Sequence, residues 1–306
     1  MIVSPALKQG FLQSRVYMDT IVTIELSDPG DDPLDRVGRA FSWFEAVERA
    51  CSRFNPESEL RQLMSRIGEP VLVSPLLYQA LDFALQVARE SDGAFDPTIG
   101  ARMEAAGFTT EYLSGETTAS GVSPIAAGCI DDVILDPVAR TVLLRKPVVL
   151  DLGAVAKGFA IDLAGQELSD GGGFAINAGG DVLVRGLNPD GQPWQIGVRH
   201  PRQPDALLCV LHVTDAAVCT SGDYERPAAV EGHHILDPNS GQSVAAVISL
   251  TAIGPTAMTA DALSTAAFVM GPEQGRRFLE SQGLEALVVD SELTILQTSG
   301  LAEYLK

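Results

Sequence analysis

The sequence predicts an α+β fold, and three features carry that expectation. Apolar residues recur at helical spacing in several segments, alternating β-branched runs recur in others, and the two kinds come in groups rather than in strict strand–helix alternation. The first alternating run, VYMDTIVTIEL over residues 16–26, predicts a strand, closed by the turn-forming cluster SDPGDDP. Val37, Ala40, Phe41, Phe44, Val47 and Ala50 then mark one face of an amphipathic helix over 34–54. Ser74 followed by Pro75 reads as an N-cap and first helical position, starting a second helix that runs to Glu90 and stops at Ser-Asp-Gly.

The Ser/Thr/Gly-rich stretch 109–128 predicts an exposed connection or insertion within a single unit spanning 1–306. Short strands are expected at 131–136 and 141–144 around the turn DPVAR, and a further strand at VVLDL, 148–152. A helix follows directly from Gly153 and ends at the triple glycine 171–173. FAINAGGDVLVRG, WQIGVRH and LLCVLHV read as sheet strands. The last third gives a strand at 247–254, helices from Met258 to Met270 and near 272–282, and closing strands ALVVD and LTILQT.

Composition narrows the function. With 306 residues, 46% hydrophobic and 20% charged, the chain can bury a substantial core. Forty acidic residues against 21 basic ones give a net charge of -19, which repels nucleic acid. The same field repels a nucleotide diphosphate, so a nucleotide site needs a cation or a local ring of backbone donors. Cys51, Cys129, Cys209 and Cys219 have no zinc-like spacing and read as small buried hydrophobes. No basic start with an apolar run opens the sequence, and no stretch of ~18 apolar residues occurs. The expected compartment is cytoplasmic as written, or periplasmic or membrane-associated where an export signal has been trimmed.

Five segments could carry chemistry. From Asp151 to Gly158 an apolar run passes through Gly153 into a helix that bears Lys157, an arrangement that offers backbone N–H groups to an anion. It has neither P-loop nor GxGxxG spacing, and it also reads as a plain turn with Lys157 in solvent. Asp261 and Thr265, four apart on one helix, can turn a carboxylate and a hydroxyl toward one hard cation such as Mg²⁺; helix-dipole stabilisation by Asp261 is the alternative. His233 and His234 precede the turn Asp237–Gly241, and adjacent strand residues face opposite ways, so at most one faces a site. The turn Ser91–Thr98 holds Ala94, Phe95 and Asp96, suited to gripping a planar ring, although turn chemistry alone explains Asp92, Gly93 and Pro97. Cys219-Thr220-Ser221-Gly222-Asp223-Tyr224 offers hydroxyl donors for phosphate, and it also reads as a polar turn after a strand.

In this order, Met18-Asp19-Thr20, SRFNPESEL from Ser52, DGAFDPTIG, LDLGAVAKGFAID, INAGGDVLVRG, TSGDYER, HHILDPNSG and ADALSTA resemble the ApbE family of FAD:protein FMN transferases over about nine-tenths of the chain. MDT stands where the family pattern has MGT, and PNSGQSV where it has PxTGxP. The resemblance implies an α+β fold with a core related to the tunnelling-type fold and a smaller helical region. It implies that Met18, Phe54, Ala94, Phe95, Asp96, Asp151, Lys157, His234 and Ile235 line an FAD site. Asp261, Thr265 and the backbone oxygen of Ala154 would hold Mg²⁺. The implied reaction moves FMN from FAD to a Ser or Thr hydroxyl of a target protein and releases AMP, with Asp261, Lys157 and His234 as catalytic candidates and His234 or a nearby carboxylate as proton acceptor. An FAD-storage protein without transfer and a Mg²⁺-dependent FAD pyrophosphatase are the alternatives.

Overall fold

The structure is a computed structural model that describes residues 10–110, 115, 117–224 and 232–305. The expected single strand over 16–26 is in fact a hairpin. β1 (Phe11–Tyr17) and β2 (Thr20–Leu26) pair antiparallel with Tyr17 opposite Thr20, so Met18 and Asp19 form a two-residue loop. Both have positive φ, 49° and 63°, the signature of the mirror-image turn that matches strand twist.

Helix α1 (Pro33–Cys51) begins where the Asp32 carboxylate accepts the Asp35 N–H, with Pro33 in the first turn. A short helix α2 (Glu59–Met64) and strand β3 (Pro70–Leu72) follow, and then α3 (Pro75–Glu90), capped by Ser74 as its sequence predicts. Next come α4 (Gly100–Ala105) and the hairpin β4 (Val133–Asp136) and β5 (Thr141–Leu144), which with β3 makes a three-stranded sheet in the order β3-β5-β4. Within the expected connection 109–128, residues 111–114 and 116 lie outside the described residues.

Residues 148–152 join no sheet, contrary to the strand expected there. Val149 makes only an isolated bridge to Ile99, and the segment leads into α5 (Gly153–Glu167). Strands β6 (Phe174–Ala178) and β7 (Asp181–Arg185) form a hairpin, as do β8 (Trp194–Arg199) and β9 (Leu207–Val213). β10 (Ala217–Gly222), β11 (Val247–Gly254), α6 (Ala257–Met270), α7 (Pro272–Ser281), β12 (Glu285–Asp290) and β13 (Ile295–Gln297) complete the order.

Eight strands make one antiparallel sheet, β1-β2-β6-β7-β10-β11-β12-β13. Strand alternation divides its side chains between two cores. Phe174, Ile176, Leu183, Leu250 and Ala252 join the core that contains α1, α3, α5 and α6. Ala175, Val182, Val184, Ile248 and Ile253 join a second core under the β8–β9 hairpin, around the fully buried Trp194. Every residue of β11 is therefore buried. Cys51 and Cys219 are buried as expected and Cys209 partly so, whereas Cys129 is exposed, because it caps a turn beside Asp132 rather than packing in a core. Among the described residues no helix is long and apolar enough to cross a membrane.

Candidate active site

Helices α5 and α6 lie against each other on the sheet, and Gly158 sets how close they come. A Cβ at Gly158 would stand 2.5 Å from the backbone oxygen of Ala257, so only glycine admits this approach. Asp162, one turn further along α5, completes the joint. Its two carboxylate oxygens accept the N–H groups of Ala257 and Met258 at 2.8 and 2.9 Å, two of the donors that the first turn of α6 leaves without helical partners. Burial pushes the Asp162 carboxyl up to about 6, against the opposing effect of those two bonds and of Arg185.

The joint carries Lys157, Asp261 and Thr265 into one place. Lys157 Nζ lies 3.1 Å from Oδ2 of Asp261 and contacts Oδ2 of Asp181, the first residue of β7. Asp261 is 7% exposed and Asp181 3%. Thr265 Oγ1 donates to the backbone oxygen of Asp261 at 3.1 Å, which aims its lone pairs away from the helix axis. Behind it, Ser221 Oγ on β10 sits 2.8 Å from Ser264 Oγ and 3.5 Å from Thr265 Oγ1. Thr220 N–H donates to Asp181 Oδ1 at 3.1 Å. The donors gathered here are oxygens, with one ammonium among them. Among the described residues no cluster of three His, Cys, Asp or Glu forms a metal cage, so a cation here would draw on hydroxyl and backbone oxygen as well.

A second group forms at the start of α5, in whose first turn Ala154 lies. Asp151 Oδ1 accepts the N–H of Gly153 at 2.8 Å, and Oδ2 pairs with Arg53 Nε at 2.5 Å. Arg53 is 7% exposed, donates to the Phe108 carbonyl at 2.7 Å, and stacks its guanidinium 4.2 Å from the centre of the Phe54 ring. The Ala94–Asp96 turn is tied to this group, because the Asp151 N–H donates to the Pro97 carbonyl at 2.8 Å. Asp96 spends one oxygen on the N–H and hydroxyl of Thr98, at 2.7 and 2.6 Å. Phe95 points inward and is 5% exposed, part of the core rather than a ring-stacking surface.

Ala94 also borders a cleft of about 440 Å³ shared with Asp92, Asp237, Ser240 and the C-terminal end of α6 at Val269 and Met270. His233 and His234 fall in an irregular segment rather than a strand. His233 is buried, its Nε2 2.7 Å from the Val244 carbonyl and its ring 5.8 Å from Phe268, while His234 is half-buried beside it and Ile235 is buried. Met18 lies in the β1–β2 turn, packed against the larger core, with its N–H donated to Glu48 of α1 at 3.0 Å. Glu225 and Arg226, at the end of TSGDYER, lie outside the described residues.

Asp181, Asp162 and Arg53 were not among the site residues expected from the sequence. The available signals were a carboxylate directly after the Gly179-Gly180 turn and a carboxylate in a helix whose other neighbours are apolar.

The ApbE family profile matches residues 18–288 of this chain. An FAD:protein FMN transferase of Treponema pallidum is 30% identical over 295 residues, 87% of this chain and 80% of that protein. One from Vibrio cholerae is 27% identical over 264 residues, 80% of this chain and 76% of that protein. Among solved structures, an ApbE protein from Thermotoga maritima superposes with a TM-score of 0.88 at 31% identity, covering 97% of this chain and 100% of that one. The flavin transferase ApbE from Vibrio cholerae superposes with a TM-score of 0.85 at 25% identity, covering 97% and 99%.

Proposed function

The chain belongs to the ApbE family, and from that premise we propose that it transfers the FMN half of FAD to a Ser or Thr hydroxyl of another protein, releasing AMP in a Mg²⁺-dependent reaction. The observation that carries this reading is the convergence of Lys157, Asp261 and Thr265 at the α5–α6 joint. A chain with a net charge of -19 needs local positive charge to accept a diphosphate, and this joint combines an ammonium with oxygen donors for a cation.

The donor set fits Mg²⁺. Asp261, the Thr265 hydroxyl and the backbone oxygen of Ala154 are hard oxygen ligands, and a site with so few protein ligands suits an ion that completes its shell with water and phosphate. Bound there, Mg²⁺ would offset the charge of the diphosphate and of the departing AMP. The remaining work falls to the chain itself. Asp162 and Gly158 hold α6 in register with α5, so Asp261 and Thr265 keep a fixed position relative to the α5 backbone that carries Lys157. Lys157 offers a mobile positive charge to phosphate oxygens. Asp151, fixed by Arg53, organises the first turn of α5, whose N–H groups and dipole favour an anion. Phe54, backed by the Arg53 guanidinium, presents a flat surface beside that turn.

In the transfer itself, the acceptor oxygen bonds to the FMN phosphorus, and the bond from that phosphorus to the bridging oxygen breaks. AMP leaves with that oxygen. The acceptor's proton passes to a base, for which His234 is the proposed group, with Met18 and Ile235 as apolar wall.

The test is to incubate the purified protein with FAD, Mg²⁺ and a domain that carries an acceptor threonine, and to follow intact mass and AMP together. The proposal predicts a mass gain equal to one FMN phosphoester, abolished by EDTA. AMP with free FMN and no mass gain would make the protein a pyrophosphatase, and bound FAD with neither product would make it a storage protein.

A further inference from the structure

Lys157 is shared between two buried carboxylates, Asp181 and Asp261. Asp181 follows the Gly179-Gly180 turn, whose residues have φ of 63° and 105°, and its other oxygen accepts the Thr220 N–H. It is therefore a fixed point of the sheet. Lys157 reaches it from α5 on a flexible four-carbon stem, and the same ammonium stands 3.1 Å from Asp261.

A divalent cation that takes Asp261 as ligand meets this ammonium at the same carboxylate. Two positive groups a few ångströms apart in a buried setting repel strongly, so one of them must withdraw. Asp181 is the group that can retain the ammonium when it does. We infer that Asp181 is a positioning residue that draws Lys157 off Asp261 as the cation binds, so that Asp181 and Lys157 together set the metal affinity of the site. The inference rests on the proposed role of Asp261 and Thr265 as metal ligands.

Its consequences have opposite signs. Without the Asp181 carboxylate, Lys157 pairs with Asp261 and competes with the metal. Without the Lys157 ammonium, the competition ends. A simple loss of negative charge at Asp181 would also weaken cation binding, but it would do so whether or not Lys157 is present, and that difference separates the two accounts.

The experiment titrates Mn²⁺, a paramagnetic stand-in for Mg²⁺, into the full chain and reads free ion by electron paramagnetic resonance. Outer-sphere partners of metal ligands typically change affinity by about 10- to 100-fold. Asp181→Asn should weaken Mn²⁺ binding by about 10-fold, and Lys157→Met should tighten it by about 10-fold. In the Lys157→Met background, Asp181→Asn should change affinity by less than about 3-fold. Equal weakening by Asp181→Asn in both backgrounds would overturn the inference and leave the metal site standing. Unchanged affinity in Lys157→Met would overturn it as well, a result that counts against the inference even where Asp181→Asn does not fold. No Mn²⁺ binding by the wild type, or full binding by Asp261→Asn, would overturn the metal site and the inference together.

Discussion

The Asp162 carboxylate on α5 accepts the backbone N–H of Ala257 at 2.8 Å and thereby fixes the start of α6, the helix that carries Asp261 and Thr265. A side chain from one helix acts as the N-terminal cap of its neighbour, alongside the neighbour's own Thr256. The positions of the two proposed ligands thus depend on a residue more than ninety positions away in sequence.

Burial holds the Asp162 carboxyl at about 6, above the ordinary aspartate value of 3.8. A carboxylate whose folded value is raised binds more protons in the native than in the unfolded state between those two values, so its contribution to stability falls as pH rises through this window. The unfolding free energy of the wild type relative to Asp162→Asn should therefore increase when pH is lowered from 7 to about 4, by roughly 2 kcal/mol. Urea melts of both proteins at the two pH values measure it. A difference independent of pH would show that Asp162 does not titrate in this window.

Arg53 and Asp151 form a buried ion pair that ties the Phe54 segment to the first turn of α5. Removing one partner of such a pair leaves the other charged and desolvated, whereas removing both is far milder. Arg53→Met should destabilise the protein by about 3 kcal/mol, and Arg53→Met with Asp151→Asn should recover part of that loss. Chemical denaturation of the two variants checks this. Additive losses would mean that the pair does not act as a unit.

The Met18-Asp19 turn predicts a stabilising change. Asp19 has a φ of 63° at the second position of a two-residue hairpin loop, where glycine meets no Cβ penalty. Asp19→Gly should raise unfolding free energy by about 0.5–1 kcal/mol, the relief being partly offset by the greater freedom of glycine in the unfolded chain. Thermal melts test the sign. A lower midpoint would show that interactions of the Asp19 side chain outweigh the backbone term.

That same turn marks a limit of the sequence as a guide to the fold. Between Val16 and Ile21 a lone Asp19 is the only turn-forming residue, with neither Gly nor Asn beside it to mark a break. Two short strands and one long one look alike under those conditions. At VVLDL, an apolar run reports burial without reporting pairing, and the segment is buried but bonded to no sheet neighbour. Where the local chemistry is explicit, as in Ser74-Pro75 or the glycines after α5, the helix boundaries are legible to within a few residues. The site divides along the same line. Asp261 and Thr265 share a helix face and can be read from spacing, but Asp181 reaches Lys157 only through the β6–β7 hairpin, and Asp162 reaches α6 only through helix packing. Such partners are products of the fold, not of local pattern.

FMN transfer at the α5–α6 joint, as proposed above, makes Asp261 indispensable. Comparing wild type with Asp261→Ala, at saturating FAD and Mg²⁺ and with mass spectrometry of a threonine-bearing acceptor, tests it most directly. FMN attachment and AMP release should appear in equal amounts for the wild type, with both falling by about 100-fold or more in Asp261→Ala. Transfer by Asp261→Ala at the wild-type rate, still dependent on Mg²⁺, would contradict it.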